Sequence, residues 1–122
     1  MSARARVTSN SMSEMATVPQ ITVDDLAAAV DRQEVVVDVR MPDEYVEAHV
    51  PGAILIPLPE LPARVEEIPD ADPVHLICRS GARSQKAAEL LAAQGRSVTN
   101  VAGGTLAWID SGRSTVSGPE RG

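Results

Sequence analysis

Short runs of β-branched and aliphatic residues recur along this chain, each parted from the next by a segment of helical period and by proline or glycine. Gln20-Ile21 reads as an opening strand, followed by Val35 to Val37, Ala53 to Ile56, Val74 to Ile77 and Val98 to Val101. The triplet Val35-Val36-Val37 is apolar at every position, which suits a strand covered on both faces. Between strands, Val23, Leu26, Ala27 and Val30 repeat at helical spacing. Thr22 and Asp25 resemble a capping box there, and Ile21 can staple to Leu26 across it. Pro42-Asp43-Glu44 makes a good first helical turn, with acids at the positive end of the dipole, and Pro51-Gly52 ends that helix. Leu61, Val65 and Ile68 carry helical spacing up to Pro69. Ser84 to Gln94 is an alanine-rich helix closed by Gly95, and Thr105 to Asp110 is the last. This order predicts an α/β fold: an open, mainly parallel sheet with helices on both faces.

At 122 residues the chain has room for one core. Residues 18–111 carry the pattern just described. Residues 1–17 are polar and small, with too little apolar surface to offset about 1–2 kcal/mol of backbone entropy per residue, and read as a disordered arm. Residues 112–122, rich in glycine, serine and charge, read as a flexible tail. Between residues 18 and 111 stand seven basic side chains against fifteen acids, a net charge of -8. Nucleic acid is excluded as a partner, because counterion release needs a basic face. Trp108 and Tyr45 are the sole aromatic residues, so no stacking platform exists either. No apolar run approaches the ~18 residues of a membrane span. The single cysteine excludes an intrachain disulfide and a paired-cysteine metal site. No apolar segment of a signal peptide follows Arg4 and Arg6, so the expected location is cytoplasmic, where a lone thiol stays reduced.

That thiol heads the segment Cys78-Arg79-Ser80-Gly81-Ala82-Arg83-Ser84, which follows a buried strand and opens a helix. In open α/β sheets the carboxyl ends of the strands face the ligand crevice. Gly81 and its small neighbours let the loop curl with its N–H groups inward, an anion nest at a helix N-terminus. Two of the seven basic residues, Arg79 and Arg83, follow the cysteine closely in an otherwise acidic domain. Thiolate is the nucleophilic form, and helix N-termini and cations lower a cysteine pKa from ~8.5 to ~3.5–7.5. A unit charge ~4 Å away is worth ~4 kcal/mol at an effective dielectric of 20. One arginine plus the amides is therefore expected to ionise Cys78 near neutral pH with no general base; the sequence places neither His49 nor His75 as a partner. A lone cysteine at a strand end also reads as a small buried hydrophobe. The arginines, the glycine and the following helix favour the nucleophile. Arg83 is expected to face inward, while Arg79 reads equally as a solvated charge.

Three stretches carry a family resemblance: the loop from Cys78 to Ser84; Asp38-Val39-Arg40-Met41-Pro42-Asp43-Glu44-Tyr45 through His49-Val50-Pro51-Gly52-Ala53; and Asn100-Val101-Ala102-Gly103-Gly104 to Ala107-Trp108. In this order, over about residues 18–111, they resemble a single-domain rhodanese-type sulfurtransferase. The resemblance implies a thiolate that takes a sulfane sulfur from a donor such as thiosulfate and passes it from a persulfide to cyanide or a thiol. Cys78 would be catalytic, and Arg79, Ser80, Gly81, Ala82, Arg83 and Ser84 would bind the small sulfur-containing anion. No metal and no organic cofactor is implied, and such domains occur as monomers or homodimers. Asp38 and Arg40 read as a structural pair, His49 as a hydrogen-bonded turn residue, and Trp108 as packing beneath the loop. Gly103-Gly104 lets the backbone pass close to its neighbours.

Two rival readings share the architecture. Related phosphatases and arsenate reductases place five residues between cysteine and arginine, whereas four lie between Cys78 and Arg83. The shorter ring encloses less space and suits sulfur better than a phosphoryl group. A persulfide carrier delivering sulfur to a protein partner is the other alternative; the body's acidity favours a basic partner.

Overall fold

The computed structural model describes residues 17–122. Apart from Thr17, the segment read as an arm lies outside them. Among the described residues five strands, β1 (Gln20–Ile21), β2 (Val36–Asp38), β3 (Ile54–Leu55), β4 (Val74–Ile77) and β5 (Val98–Val101), pair in the order β1-β5-β4-β2-β3, every pair parallel. The connecting helices are α1 (Val23–Asp31), α2 (Pro42–Glu47), α3 (Leu61–Arg64), α4 (Ala82–Ala93) and α5 (Gly104–Asp110). The expected parallel α/β fold is present, with β4 in the middle of the sheet.

Local chemistry accounts for the helix ends. Thr22 Oγ1 accepts from the Asp25 N–H at 3.1 Å, and Asp25 Oδ2 accepts from the Thr22 N–H at 3.2 Å, closing the capping box of α1. At α2 the Glu44 carboxylate reaches back to the Met41 N–H at 3.0 Å, and Pro42 occupies the first turn. The helix expected from Leu61 to Ile68 is instead one α-turn between two 3₁₀ turns, Leu58–Glu60 and Val65–Glu67. Pro62 stands in the first turn, where no N–H is needed, while Val65 O and Ile68 O farther on accept from Arg96 Nη2, each at 3.3 Å. Helix α4 starts at Ala82, two residues earlier than expected, because Gly81 turns the chain at φ +116 directly into the helix.

Side chains alternate across the sheet and feed two cores. Val37, Leu76 and Val98 pack with Ala87, Ala88 and Leu91 of α4 and with Leu61 and Ile68. On the opposite face Val36, Ile77 and Val101 meet Leu26 of α1, Tyr45 of α2 and Trp108 of α5. Burying each large aliphatic side chain contributes about 1.5–3 kcal/mol. Asp38 and Arg40 form the expected buried pair, with both carboxylate oxygens accepting from the guanidinium, which also donates to Ala48 O at 2.8 Å. No helix among the described residues is long and apolar enough to cross a membrane.

Residues 112–122, expected as a flexible tail, hydrogen-bond to the body of the domain. His49 and Val116 exchange two backbone hydrogen bonds of 2.9 Å, and Trp108 Nε1 donates to Ser114 O at 2.9 Å. His49 stacks on the Tyr45 ring at 3.6 Å, with Nδ1 at 2.7 Å from Tyr45 O and Nε2 at 2.8 Å from Glu120 O. The segment therefore caps the second core. Its composition gave no sign of this because main-chain groups supply most of the partners.

Candidate active site

Cys78 leaves the end of β4, and the chain immediately surrenders its carbonyl groups to neighbouring elements. Cys78 O accepts from the Thr105 N–H at 2.9 Å and from Thr105 Oγ1 at 3.0 Å, while Arg79 O accepts from the Leu106 N–H at 3.1 Å. Gly81 O accepts from the Gln85 N–H at 3.1 Å and from Asn100 Nδ2 at 3.3 Å. With the carbonyls engaged outward by the first turns of α5 and α4, the amides turn toward the sulfur. Gly104 makes the approach of α5 possible: at φ +59, an added Cβ would lie 2.5 Å from both Cys78 O and Arg79 O.

The Gly81 N–H donates to Cys78 Sγ at 3.1 Å, and Ser84 Oγ lies 3.3 Å from it. Burial pushes the thiol up; the Ser84 hydroxyl and the N–H groups of Ser84, Gly81 and Ser80 outweigh that and hold it below the ordinary thiol value. Cys78 is 1% exposed, so its sulfur sits beneath the loop it opens. Neither histidine serves it. His75 is held between Thr99 Oγ1 at 2.7 Å and Glu34 Oε1 at 2.8 Å, and His49 is engaged beneath the C-terminal segment.

The arginines stand elsewhere than charge counting suggested. Arg83 donates twice to Glu44, at 2.8 and 2.9 Å, clamping the start of α4 to α2. That hydrogen-bonded guanidinium lowers the Glu44 carboxyl to about 2. Its Coulombic interaction with Cys78 is weaker than that with Glu44. Arg79 is exposed, with no hydrogen bond or ion pair to its side chain among the described residues. It lines a cleft of about 300 Å³ between α2 and α5, with Arg40, Glu44, Glu47, Leu106 and Ile109. Ser80 and Ala82 are exposed, so Ser80 serves the site through its backbone N–H.

Two residues outside the loop complete the site, and neither announces its role in sequence. Glu44 was read only as a helix-start acid. Asn100 stands on the α4 side of β5, where Oδ1 accepts from Ser84 Oγ at 2.6 Å and Nδ2 donates to Gln20 Oε1 at 2.9 Å. The usable signal was a polar residue inside the buried run Val98 to Val101.

Comparison with known proteins agrees with this geometry. The family model described as "Rhodanese-like domain" matches residues 22–111. The chain is 36% identical over 102 residues to "Putative sulfur carrier protein YrkF" of Bacillus subtilis, covering 81% of this chain and 55% of that one, and so spans about half the relative's length. It is 41% identical over 70 residues to "Thiosulfate sulfurtransferase PspE" of Escherichia coli, covering 56% and 67% of the two chains. The crystal structure of a rhodanese-related protein from Thermoplasma volcanium superposes with a TM-score of 0.75 at 31% identity, over 80% of this chain and 97% of that one. The matched span runs from the cap of α1 to the end of α5 and takes in strands β2 to β5, the cysteine loop and the helix that tethers it: the chain belongs to the rhodanese-like domain family.

Proposed function

We propose that this protein is a sulfurtransferase that moves a sulfane sulfur from thiosulfate or a similar donor, through a Cys78 persulfide, to cyanide or a thiol. The observation that carries the reading is the set of N–H groups and the Ser84 hydroxyl directed at one sulfur atom. Cys78 Sγ attacks the outer sulfur of the donor, forming an S–S bond. The donor's own S–S bond breaks, and sulfite departs with the electron pair. The terminal persulfide sulfur carries the negative charge into the donor-lined loop. A cyanide carbon or thiolate sulfur then attacks that terminal atom, and Cys78 leaves as the thiolate it was. No proton transfer by a separate base is needed, in keeping with both histidines being hydrogen-bonded to other groups. Burial of Cys78 favours a donor that presents one thin terminal sulfur over a tetrahedral phosphoryl centre. The medium must keep a lone thiol reduced, and we place the reaction in the cytoplasm.

Thiocyanate formation from thiosulfate and cyanide tests this directly, with Cys78→Ser and an aryl phosphate as controls. Turnover that vanishes in the variant, with no phosphate release, is the expected result. Phosphate release at a comparable rate would replace the reading with a phosphatase.

A second reading, sulfur delivery to a protein thiol, has its own observation. The large apolar side chains that are exposed, Met41, Val46, Leu106 and Ile109, all lie on α2, its cap or α5, which border the cleft beside the loop. Asp43, Glu47 and Asp110 on the same elements have no ion pair among the described residues. Such a face fits a partner segment that is apolar and basic. Persulfide transfer to a cysteine peptide flanked by leucine and lysine should outpace transfer to a leucine and glutamate one. Ile109→Glu should leave transfer to cyanide intact and slow transfer to the basic peptide. Equal rates for both peptides would remove this reading.

A further inference from the structure

The Ser84 hydroxyl has one proton and two acceptors. Asn100 Oδ1 lies 2.6 Å from Ser84 Oγ, and Cys78 Sγ lies 3.3 Å from it. The polarity of Asn100 is fixed from outside. Its other amide atom faces Gly81 O at 3.3 Å and Gln20 Oε1 at 2.9 Å, and a backbone carbonyl accepts only, so that atom must be Nδ2. Gln20 is oriented in the same manner, since its Nε2 donates to Val18 O at 3.0 Å. Two main-chain carbonyls thus present Asn100 Oδ1 to Ser84. Asn100 is 3% exposed and Ser84 is fully buried, so water is not a ready substitute for either partner.

From this geometry we infer that Asn100 is a positioning residue that holds the Ser84 proton while Cys78 Sγ is uncharged and yields it when the sulfur is ionised. As a thiol, Sγ presents its own proton to Ser84 Oγ, and Ser84 donates to Asn100. As a thiolate, Sγ draws the hydroxyl proton to itself, and a buried Asn100 Oδ1 loses its donor. That loss offsets part of what Ser84 offers the anion. After transfer the charge moves to the terminal persulfide sulfur, Sγ is again uncharged, and the proton returns to Asn100. The asparagine therefore favours the loaded and the protonated forms over the thiolate between them. It limits how acidic the thiol becomes and drives the sulfur forward onto the enzyme.

The charged groups around the sulfur do not duplicate this effect. On the loop and α4 the charged side chains are Arg79, Arg83, Lys86 and Glu89, the last accepting from Gln85 at 2.9 Å, and α5 carries Asp110. From α2 Glu44 engages Arg83, and from β2 and its end Asp38 engages Arg40. On β4 itself His75 is engaged by Glu34 and Thr99. None of these interactions involves Asn100.

The test is the pH profile of Cys78 alkylation by iodoacetamide, measured for the wild type, Asn100→Leu, Ser84→Ala and the double variant. Asn100→Leu keeps the volume and removes the competing acceptor. The alkylation midpoint should fall by about half a unit, roughly threefold more thiolate at a pH well below it. Ser84→Ala should raise the midpoint, and in that background Asn100→Leu should have no further effect. A merely structural role predicts the opposite sign, because freeing the Gly81 carbonyl would loosen the amide ring and raise the midpoint. A rise, or an equal shift with and without Ser84, would overturn the inference. The inference rests on Cys78 as the nucleophile of the proposed reaction, yet alkylation reads the thiol without sulfur transfer. Absence of thiosulfate turnover with the alkylation shifts intact would therefore remove the reaction and leave the hydroxyl switch standing.

Discussion

At Cys78 burial favours the thiol, while donors on Sγ from Gly81, Ser80 and Ser84 favour the anion and prevail. The sign of the linkage follows. A folded-state pKa below that of the unfolded thiol adds stability that is complete above the unfolded value and is lost as pH falls through the lowered one. Denaturation of wild type and Cys78→Ala should therefore diverge in favour of the wild type as pH rises from 6 to 9; a constant difference would show an unperturbed thiol. The loop singles out Cys78 in the sequence, and the structure directs N–H groups and the Ser84 hydroxyl at that sulfur. Charge counting does not reveal that Arg83 is paired with Glu44, 39 residues upstream. Glu44→Gln removes that carboxylate and leaves the guanidinium charge unmatched near the sulfur. The alkylation midpoint should then fall by about half a unit, whereas a rise would mean that the clamp matters chiefly for loop shape.

Among the elements, α5 does the most for the site while carrying no nucleophile. Its first turn takes the carbonyls of Cys78 and Arg79, and Gly104 is the residue that permits the approach. Gly104→Ala should cost at least tenfold in alkylation rate at neutral pH, since the added carbon meets backbone that cannot move aside. Alkylation at the wild-type rate would show that the loop holds its shape without α5. The glycine pair signalled a close approach in sequence, but nothing local said which backbone it approaches. On the other side of β4, the Asp38–Arg40 pair holds the corner before α2. Arg40→Met leaves a buried carboxylate and should destabilise the fold by about 3–5 kcal/mol in urea denaturation. Strand and helix positions were legible because each run has its own period and punctuation. Leu61 to Ile68 has helical apolar spacing yet is not one helix, and the Arg96 side chain that takes its later carbonyls lies too far along the chain for a local pattern to show.

Across the whole molecule, alternation of strands and helices fixed the parallel sheet in advance, while the order β1-β5-β4-β2-β3 depends on pairings between distant residues that no local pattern records. The C-terminal segment shows the same limit, since its hold on His49 and Trp108 lies largely in main-chain hydrogen bonds. Ending the chain after Ser111 should lower stability by about 2 kcal/mol; an unchanged denaturation midpoint would make that contact incidental. All these scales converge on one buried sulfur at which the fold aims its hydrogen-bond donors. Intact mass of the protein after brief exposure to thiosulfate examines that sulfur with the fewest intervening steps. A gain of one sulfur atom located on Cys78, erased by cyanide, is the predicted result; a mass unchanged by thiosulfate while Cys78 still alkylates at neutral pH would contradict it.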